Sequence, residues 1–523
     1  MNYPGFYSDL FRATLPETAL EIAALLVLVV DLGFVRKAAL KTRVAIAALL
    51  GVAGCGAALW AVYAAGSAGL SVGGELLLSA GGVASVAQTG ILVLTALTLL
   101  LFIDSVFTRN AGEYVAVVLM AAAGGLIIAA AQDLLVIFVG LELLSLGLYI
   151  LTAFNKHLGK SAEAAMKYYL FGGMSAAFLL FGFSYLYGIF GTTSLRRIAG
   201  ALAEDGNPTP MLFVAIVLVG VGLAFKVAAV PFHLWAPDTY EGAPAPAAAF
   251  IASVSKVASF TLLLSITTNW LLPLRPLSGP TSTLGIRIAA DIRTWAPWGT
   301  LLVIMSAASM VLGNLAALAQ VSVRRLLAYS AIAHAGYILL GIATWPSASF
   351  YANGGFPARD LLYRSINAVL YYILTYGLTT IGAFGVVAVV ERATGSDKLD
   401  SFLGLHKRNP LLAAVLLVLF LSLAGIPPLV GFWAKFNLFA AVLSVSAGPV
   451  PFALVALAIA MSAVSLYYYL QVLKRAYVMP AVDETPIKAH PVTMIVLLAI
   501  AAAVVVLGCF PALLQNWIAS FYQ

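Results

Sequence analysis

Charge is what this sequence lacks most. Of its 523 residues only 9% are Asp, Glu, Lys or Arg, while 62% are hydrophobic; an average soluble domain carries about 25% charged residues. So few charges cannot cover a surface in water, and hydrocarbon must be the solvent. Cysteine is almost missing too: Cys55 and Cys509 lie far apart in apolar runs. With no CxxC pair and no Cys/His cluster, haem attachment, iron–sulfur ligation and structural zinc have no support. No glycine-rich phosphate loop, cofactor-binding segment or large soluble domain interrupts the chain. A cleavable signal peptide is not evident, because Met1 to Thr14 is polar and aromatic and the apolar run starts near Leu15. The net charge of +7 is small for this length. Its Lys and Arg cluster in short loops, which speaks for membrane topology and against nucleic-acid binding.

What the sequence does have is long apolar runs. A spanning helix needs about 20 apolar residues, and the length accommodates about 14 of them with short loops. Long runs outnumber short alternating segments, so the spans are predicted to be helices. Representative expected spans are 88–104, 134–153, 163–190, 211–229, 244–268, 325–344, 364–390, and 410–425 continuing to about 445. With the N-terminus outside, about 17 Lys/Arg fall in cytoplasmic loops and about 8 in outer ones, the bias that orients membrane proteins. An even span count then puts both termini outside. Three lysines are left within spans: Lys226, Lys256 and Lys435.

Two spans are interrupted in similar ways. One reads Phe225-Lys226-Val-Ala-Ala-Val-Pro231-Phe-His233-Leu-Trp235, the other Ala424-Gly-Ile-Pro427-Pro428-Leu-Val-Gly431-Phe-Trp433-Ala-Lys435. Proline within a span removes a backbone donor and breaks the helix. Paired breaks in the two halves of a chain point to inverted repeats and a transport site, and the offset of five spans inverts one half against the other. Lysine precedes the proline in the first break and follows it in the second, so the match is loose.

A charge at mid-membrane costs about 2.5–3.5 kcal/mol on insertion scales, so Glu142, Lys226, Lys256 and Lys435 each need a partner or water. Glu142 shares a helix face with Ser145 and Tyr149, and Lys256 with Ser253 and Ser259. A carboxylate beside a lysine keeps the ammonium charged; parting the two in an apolar interior frees its proton. Lysine suits this role because arginine does not release its proton. The alternative for Glu142 and one lysine is a static buried pair that fixes helix packing. Lys435, close to a break, has the alternative of snorkelling to the interface. His334 is either a proton relay or a helix-packing hydrogen-bonder, and His233, just past Pro231, either a relay or an interfacial cap. Asp238 and Glu241 read as solvated loop acids, Asp133 as a helix cap, and Tyr467, Tyr468 and Tyr469 as an interfacial belt or packing.

The stretch from Phe225 to Pro246 followed by Ser253-Val-Ser-Lys256 resembles the N-type antiporter-like subunits of proton-pumping NADH–quinone oxidoreductase, respiratory complex I. So do Gly140-Leu-Glu142-Leu-Leu-Ser-Leu, Arg325-Leu-Leu-Ala-Tyr-Ser-Ala-Ile-Ala-His334-Ala-Gly-Tyr, and the segment from Ala424 to Lys435. The resemblance runs from about residue 110 to 475; about 1–85 and 270–295 do not contribute. It implies an all-α polytopic membrane protein of about 14 helices. These would form two inverted five-helix repeats with discontinuous helices 7 and 12. The implied divisions are 1–110 (helices 1–3), 111–268 (first repeat), 298–475 (second repeat) and 476–523 (C-terminal loop and helix 14). It further implies that Glu142 and Lys226 are the coupling pair, Lys256 the central relay and Lys435 the terminal proton site, with His334 and His233 on the same path.

NADH, FMN, iron–sulfur clusters and quinone would belong to the complex, with no redox site or cofactor in this chain. The implied partners are subunit M, small subunits of J and K type, and lipids, in a bacterial cytoplasmic membrane with both termini on the periplasmic side. The alternatives are a sodium/proton antiporter subunit, the equivalent subunit of photosynthetic complex I with plastoquinone as acceptor, and a structural subunit whose charges only pack helices.

Overall fold

The computed structural model describes residues 6–64, 69–72, 75–105, 107–205, 209–271, 281–343, 358–445, 448–481 and 483–522. Helices dominate. The first group is α1 (Phe6–Ala13), α2 (Leu15–Val29, ending in a wider turn at Val30–Phe34), α3 (Leu40–Ala64), α4 (Gly82–Phe102), α5 (Ala111–Ala130), α6 (Leu134–Thr152), α7 (Gly159–Phe190) and α8 (Leu195–Asp205). Next come α9 (Pro210–Val227), α10 (Trp235–Gly242), α11 (Ala245–Leu271), α12 (Thr281–Leu318), α13 (Val323–Ala343) and α14 (Ala358–Thr394). The chain closes with α15 (Pro410–Ala424), α16 (Val430–Val445), α17 (Pro449–Tyr477), α18 (Pro491–Cys509) and α19 (Pro511–Ala519). One small hairpin, β1 (Leu70–Val72) and β2 (Glu75–Leu78), pairs antiparallel between α3 and α4.

Among the described residues, 12 helices are individually long and apolar enough to span a membrane, or 13 when α1 and the α2 segment, bent by 72°, count as one span. The sequence reading of about 14 counts the interrupted run 410–445 as one span. Pro427 and Pro428 divide one expected span into α15 and α16, each too short to cross alone. Helix ends follow local chemistry. Asp133 caps α6 by accepting from the N–H groups of Leu135 and Val136, as its position predicts. Thr209 and Asn409 cap α9 and α15 ahead of a proline in the first turn, where the missing N–H has no helical partner anyway. The helix expected over 88–104 starts earlier, at Gly82, where the Gly81 N–H donates to Ser85 Oγ.

Burial ranks the helices. The apolar stretch of α11 is buried throughout, as is 89% of those in α13 and α14, against 28% for α7 and 17% for α17. Among the described candidate spans, α11, which carries Lys256, is therefore the most enclosed. α11 packs on α14, α4 and α5, while α12 packs along α13 and α7 along α9. Where α2 turns into α3, Arg43 makes a bidentate ion pair with buried Asp31 (2.8 and 2.6 Å), which also accepts from the Gly112 N–H. This joins α2, α3 and α5 with a geometry only a guanidinium can provide.

Candidate functional site

The first break begins where α9 ends. Ala228 takes the left-handed conformation (φ 57°), an uncommon state for a residue with a Cβ. The N–H groups of Ala228 and Ala229 turn back to the carbonyls of Phe225 and Ala224. The Val230–Pro231 peptide is cis. Trp235 Nε1 donates to the Phe225 carbonyl at 2.9 Å, and the Val230 N–H donates to Ser309 Oγ of α12 at 2.9 Å. The last carbonyls of a helix have no partner within it and carry its partial negative charge. Lys256 on α11 reaches across and donates to one of them, the Val227 carbonyl.

The second break is built alike. α15 ends in left-handed Gly425 (φ 90°), the Pro427–Pro428 peptide is cis, and α16 starts at Val430. Lys435 on α16 folds back onto the end of α15. Its ammonium donates to the carbonyls of Leu423 (3.1 Å) and Ala424 (2.9 Å) and to Ser462 Oγ on α17 (2.8 Å). Lys435 is 6% exposed, so it does not snorkel to the interface. In each half a lysine ammonium meets free carbonyls at the C-terminal end of a broken helix. That is the arrangement by which discontinuous membrane helices hold cations.

Lys226, near the end of α9, is 7% exposed and donates to Ser145 Oγ on α6. The rings of Tyr149 and Phe225 lie 5.9 and 6.0 Å from its ammonium. Glu142, one turn before Ser145 on the same helix, forms no hydrogen bond or ion pair within the chain among the described residues. The expected Glu142–Lys226 pair is thus open here. Glu142 is half-buried and belongs to a stripe with Leu135, Val139, Leu146 and Ile150, all four exposed, so this face of α6 points out of the chain. The predicted Ser253–Lys256–Ser259 stripe is fully buried, but the Ser253 hydroxyl bonds its own helix at Ala249 and Ser259 Oγ has no partner.

His334 on α13 is buried between hydroxyls. Its Nδ1 lies 2.8 Å from Tyr372 Oη and its Nε2 3.5 Å from Tyr469 Oη, which also bonds Ser330. Either tautomer can be accommodated, because each hydroxyl both donates and accepts. A void of about 10 Å³ joins His334 and Tyr372 to Ser422, Leu423 and Ala434 of the second break. That is about the room one water needs. Asn314 on α12 donates to Tyr337 Oη (3.0 Å) and accepts from Tyr468 Oη (3.1 Å). The ring of Tyr337 lies 5.5 Å from the Lys435 ammonium. Tyr468 and Tyr469 therefore belong to this interior network. Of the three, read from sequence as a belt or as packing, Tyr467 is 58% exposed and takes the outward position. Successive residues on a helix point 100° apart, so a run of three tyrosines cannot share one environment. His233 is 6% exposed and its Nδ1 is buried without a partner.

Asp238 and Glu241 are not simple solvated acids. Arg325 Nη1 donates to Asp238 (2.7 Å) and Glu241 (3.0 Å), Lys167 pairs with Asp238 and Lys160 with Glu241, both at 2.8 Å. The cause is the short helix α10, which carries both acids on one face towards α7 and α13. Partial burial opposes their ionisation, but the surrounding cations outweigh it and hold both carboxyls below their ordinary range. Arg324, 4% exposed, donates to the carbonyls of Tyr240 (2.9 Å) and Ala243 and pairs with Glu391 on α14. This cluster borders a cavity of about 550 Å³ that reaches Ala249 on α11.

Sequence reasoning did not single out Ser309, Asn314, Arg324 or Ser462. The only signal for Asn314 was a lone polar residue in an apolar run, and for Ser462 a serine pair with Ser465 one turn on.

The chain matches the family described as NADH:quinone oxidoreductase/Mrp antiporter, TM, over residues 131–276 and 282–463. It is 47% identical to NADH-quinone oxidoreductase subunit N 2 of Acidobacterium capsulatum, over 98% of this chain and 99% of that one. A chain of respiratory complex I from Thermus thermophilus superposes with a TM-score of 0.73 at 31% identity, covering 96% of this chain and 98% of that one. A chain of the Mrp complex from Dietzia sp. DQ12-45-1b superposes with a TM-score of 0.77, covering 97% and 96%. Its 22% identity makes this a likeness of fold alone.

Proposed function

The chain belongs to the NADH:quinone oxidoreductase/Mrp antiporter family of membrane proteins, and on that premise we propose that its two broken helices are the working parts of a proton path. The chain is a proton-translocating membrane-arm subunit of an NADH–quinone oxidoreductase, of subunit N type. Lys226, Lys256 and Lys435 carry the proton, Glu142 is the carboxylate that Lys226 meets and leaves, and His334, held between the hydroxyls of Tyr372 and Tyr469, is a relay on the same path. His233, with one ring nitrogen free beside the first break, serves the same path.

The observation that supports this reading best is the common construction of the breaks. Buried ammonium groups stand on helix-end carbonyls and hydroxyls with no carboxylate in contact. A static structural charge in hydrocarbon is expected to have a counter-ion. These lysines are instead held by neutral dipoles, which allows each to exist with or without its proton.

The redox groups, NADH, FMN, iron–sulfur clusters and quinone, are assigned to other subunits. Two cysteines on separate helices are too few to hold a cluster. Glu142 on an outward face within a span needs cover, and neighbouring membrane-arm subunits of M type and of the small J and K types would supply it. The loop charges support an orientation with both termini on the periplasmic side of a bacterial inner membrane, and the halves 111–268 and 298–475 are taken as inverted repeats.

The test is Lys226→Ala and Glu142→Ala in the assembled complex. Both variants are expected to assemble while losing proton-coupled turnover; full proton-to-electron stoichiometry in both would sink the assignment. Co-purification with NADH dehydrogenase subunits separates this function from a redox-independent sodium/proton antiporter.

A further inference from the structure

Lys226 has two seats on α6. In the present one its ammonium donates to Ser145 Oγ, while the Ser145 hydroxyl is engaged with the Leu141 carbonyl of its own helix. A hydroxyl whose proton is committed to the i−4 carbonyl keeps its lone pairs for an outside donor. Ser145 thus presents a fixed acceptor to the lysine and is itself fully buried. The other seat is Glu142, three residues earlier and half-buried on the outward side. Groups at i and i+3 stand about 5–6 Å apart on one helix face. The four-carbon stem of lysine spans that gap by rotamer change alone.

The seats differ in charge. At Glu142 the ammonium has an ionic partner; at Ser145 it has a neutral acceptor and two aromatic rings. The ionisable groups lining this corner are Glu142 and Tyr149 of α6, Tyr168 of α7, whose ring lies beside Phe225, and Lys256, on the next carbonyl of α9. Among the described residues none supplies a second carboxylate, so Glu142 and Ser145 are the competing acceptors. The pattern recurs at Lys435, which has Ser462 of α17 as its hydroxyl.

We infer that Ser145 is a positioning residue: it is the second seat of Lys226, holding the lysine off Glu142 in the open half of the proton-transfer cycle. This rests on the reading of Lys226 as a proton carrier and adds a residue that sets where the carrier stands.

Ser145→Ala and Ser145→Thr in the whole complex, reconstituted in vesicles and driven by NADH, provide the test. Ser145→Ala leaves only the ionic seat, so the lysine keeps its proton longer. Turnover near neutral pH is expected to fall about tenfold, and the alkaline limb of the pH–rate profile to move up by about one unit, the size of one lost hydrogen bond. Ser145→Thr retains the hydroxyl and is expected to restore both. Should the alanine variant not assemble, Ser145→Cys, a weaker acceptor, is expected to give an intermediate shift. An alanine or cysteine profile that stays in place, whatever its height, overturns the inference, and so does a threonine variant as impaired as alanine. Glu142→Gln separates the levels. Normal pumping in that variant removes the proton-carrier reading itself. Impaired pumping there, with an unmoved Ser145→Ala profile, removes only the second seat.

Discussion

The Lys256 ammonium on α11 donates to the carbonyl of Val227 at the end of α9, so the most enclosed lysine of the chain is also the cap of a broken helix. Capping and carrying make different demands. A cap needs a donor aimed at the carbonyl; a carrier must also release a proton. Arginine satisfies the first and fails the second. Lys256→Arg is therefore expected to assemble and to lose proton pumping. Lys256→Met removes both functions and leaves a buried carbonyl unpartnered, a cost of about 1–3 kcal/mol, read as a lowered unfolding temperature of the solubilised complex. Pumping at the full ratio in the arginine variant would leave Lys256 as a cap and nothing more.

Gly425 is fixed by two independent constraints. Its φ of 90° lies where a side chain is strained, and a Cβ there would stand 3.0 Å from Lys435 Cδ and 3.2 Å from its Nζ. Gly425→Ala therefore strains the backbone by about 1–3 kcal/mol and displaces the ammonium from the Leu423 and Ala424 carbonyls. Gly56 on α3 is the control, since a Cβ there meets nothing within 4 Å and its φ is not positive. Unfolding temperature and proton-to-electron ratio should both drop for Gly425→Ala and stay at parental values for Gly56→Ala. Equal behaviour of the two variants would show that the second break tolerates movement of Lys435.

The breaks were legible because proline and lysine have no ordinary reason to be in an apolar run, and the four mid-span charges stand out for the same reason. What the sequence left hidden is which partner each charge meets. Glu142 and Lys226 were expected together, yet the chain seats Lys226 on Ser145, a choice between neighbours one helical turn apart that no spacing encodes. The ammonium–carbonyl contacts of Lys256 and Lys435 were equally invisible, since backbone carbonyls exist at every position and only the tertiary fold frees particular ones. Tyr467, Tyr468 and Tyr469 were read as a belt or as packing, and the rotation of α17 divides them, turning two inward and leaving one outside. Among the described residues the long apolar helices number 12 or 13 because two prolines leave helices of 15 and 16 residues in the run that the sequence showed to be interrupted and counted as one span.

Asp238 and Glu241 give the protein an acid-sensitive joint between α10, α7 and α13. Lys160, Lys167 and Arg325 hold both carboxyls below their ordinary values of 3.8 and 4.5. A carboxyl whose folded-state pKa is lowered contributes its stability in full above the unfolded value, and loses it as pH falls through the folded one. The contribution is thus complete at neutral pH and disappears on acidification below the ordinary carboxylate range. Both groups are partly exposed, with 30% and 20% of their side-chain surface open, so screening limits each to about 1 kcal/mol or less. The Asp238→Asn, Glu241→Gln double variant is expected to unfold at lower temperature than the parent near pH 7, with the gap closing as the pH is taken down to about 3. Thermal unfolding of the solubilised complex across that range reads the gap directly. A gap of constant width would mean that the two side chains hold α10 by shape and neutral hydrogen bonds, with their charge contributing nothing.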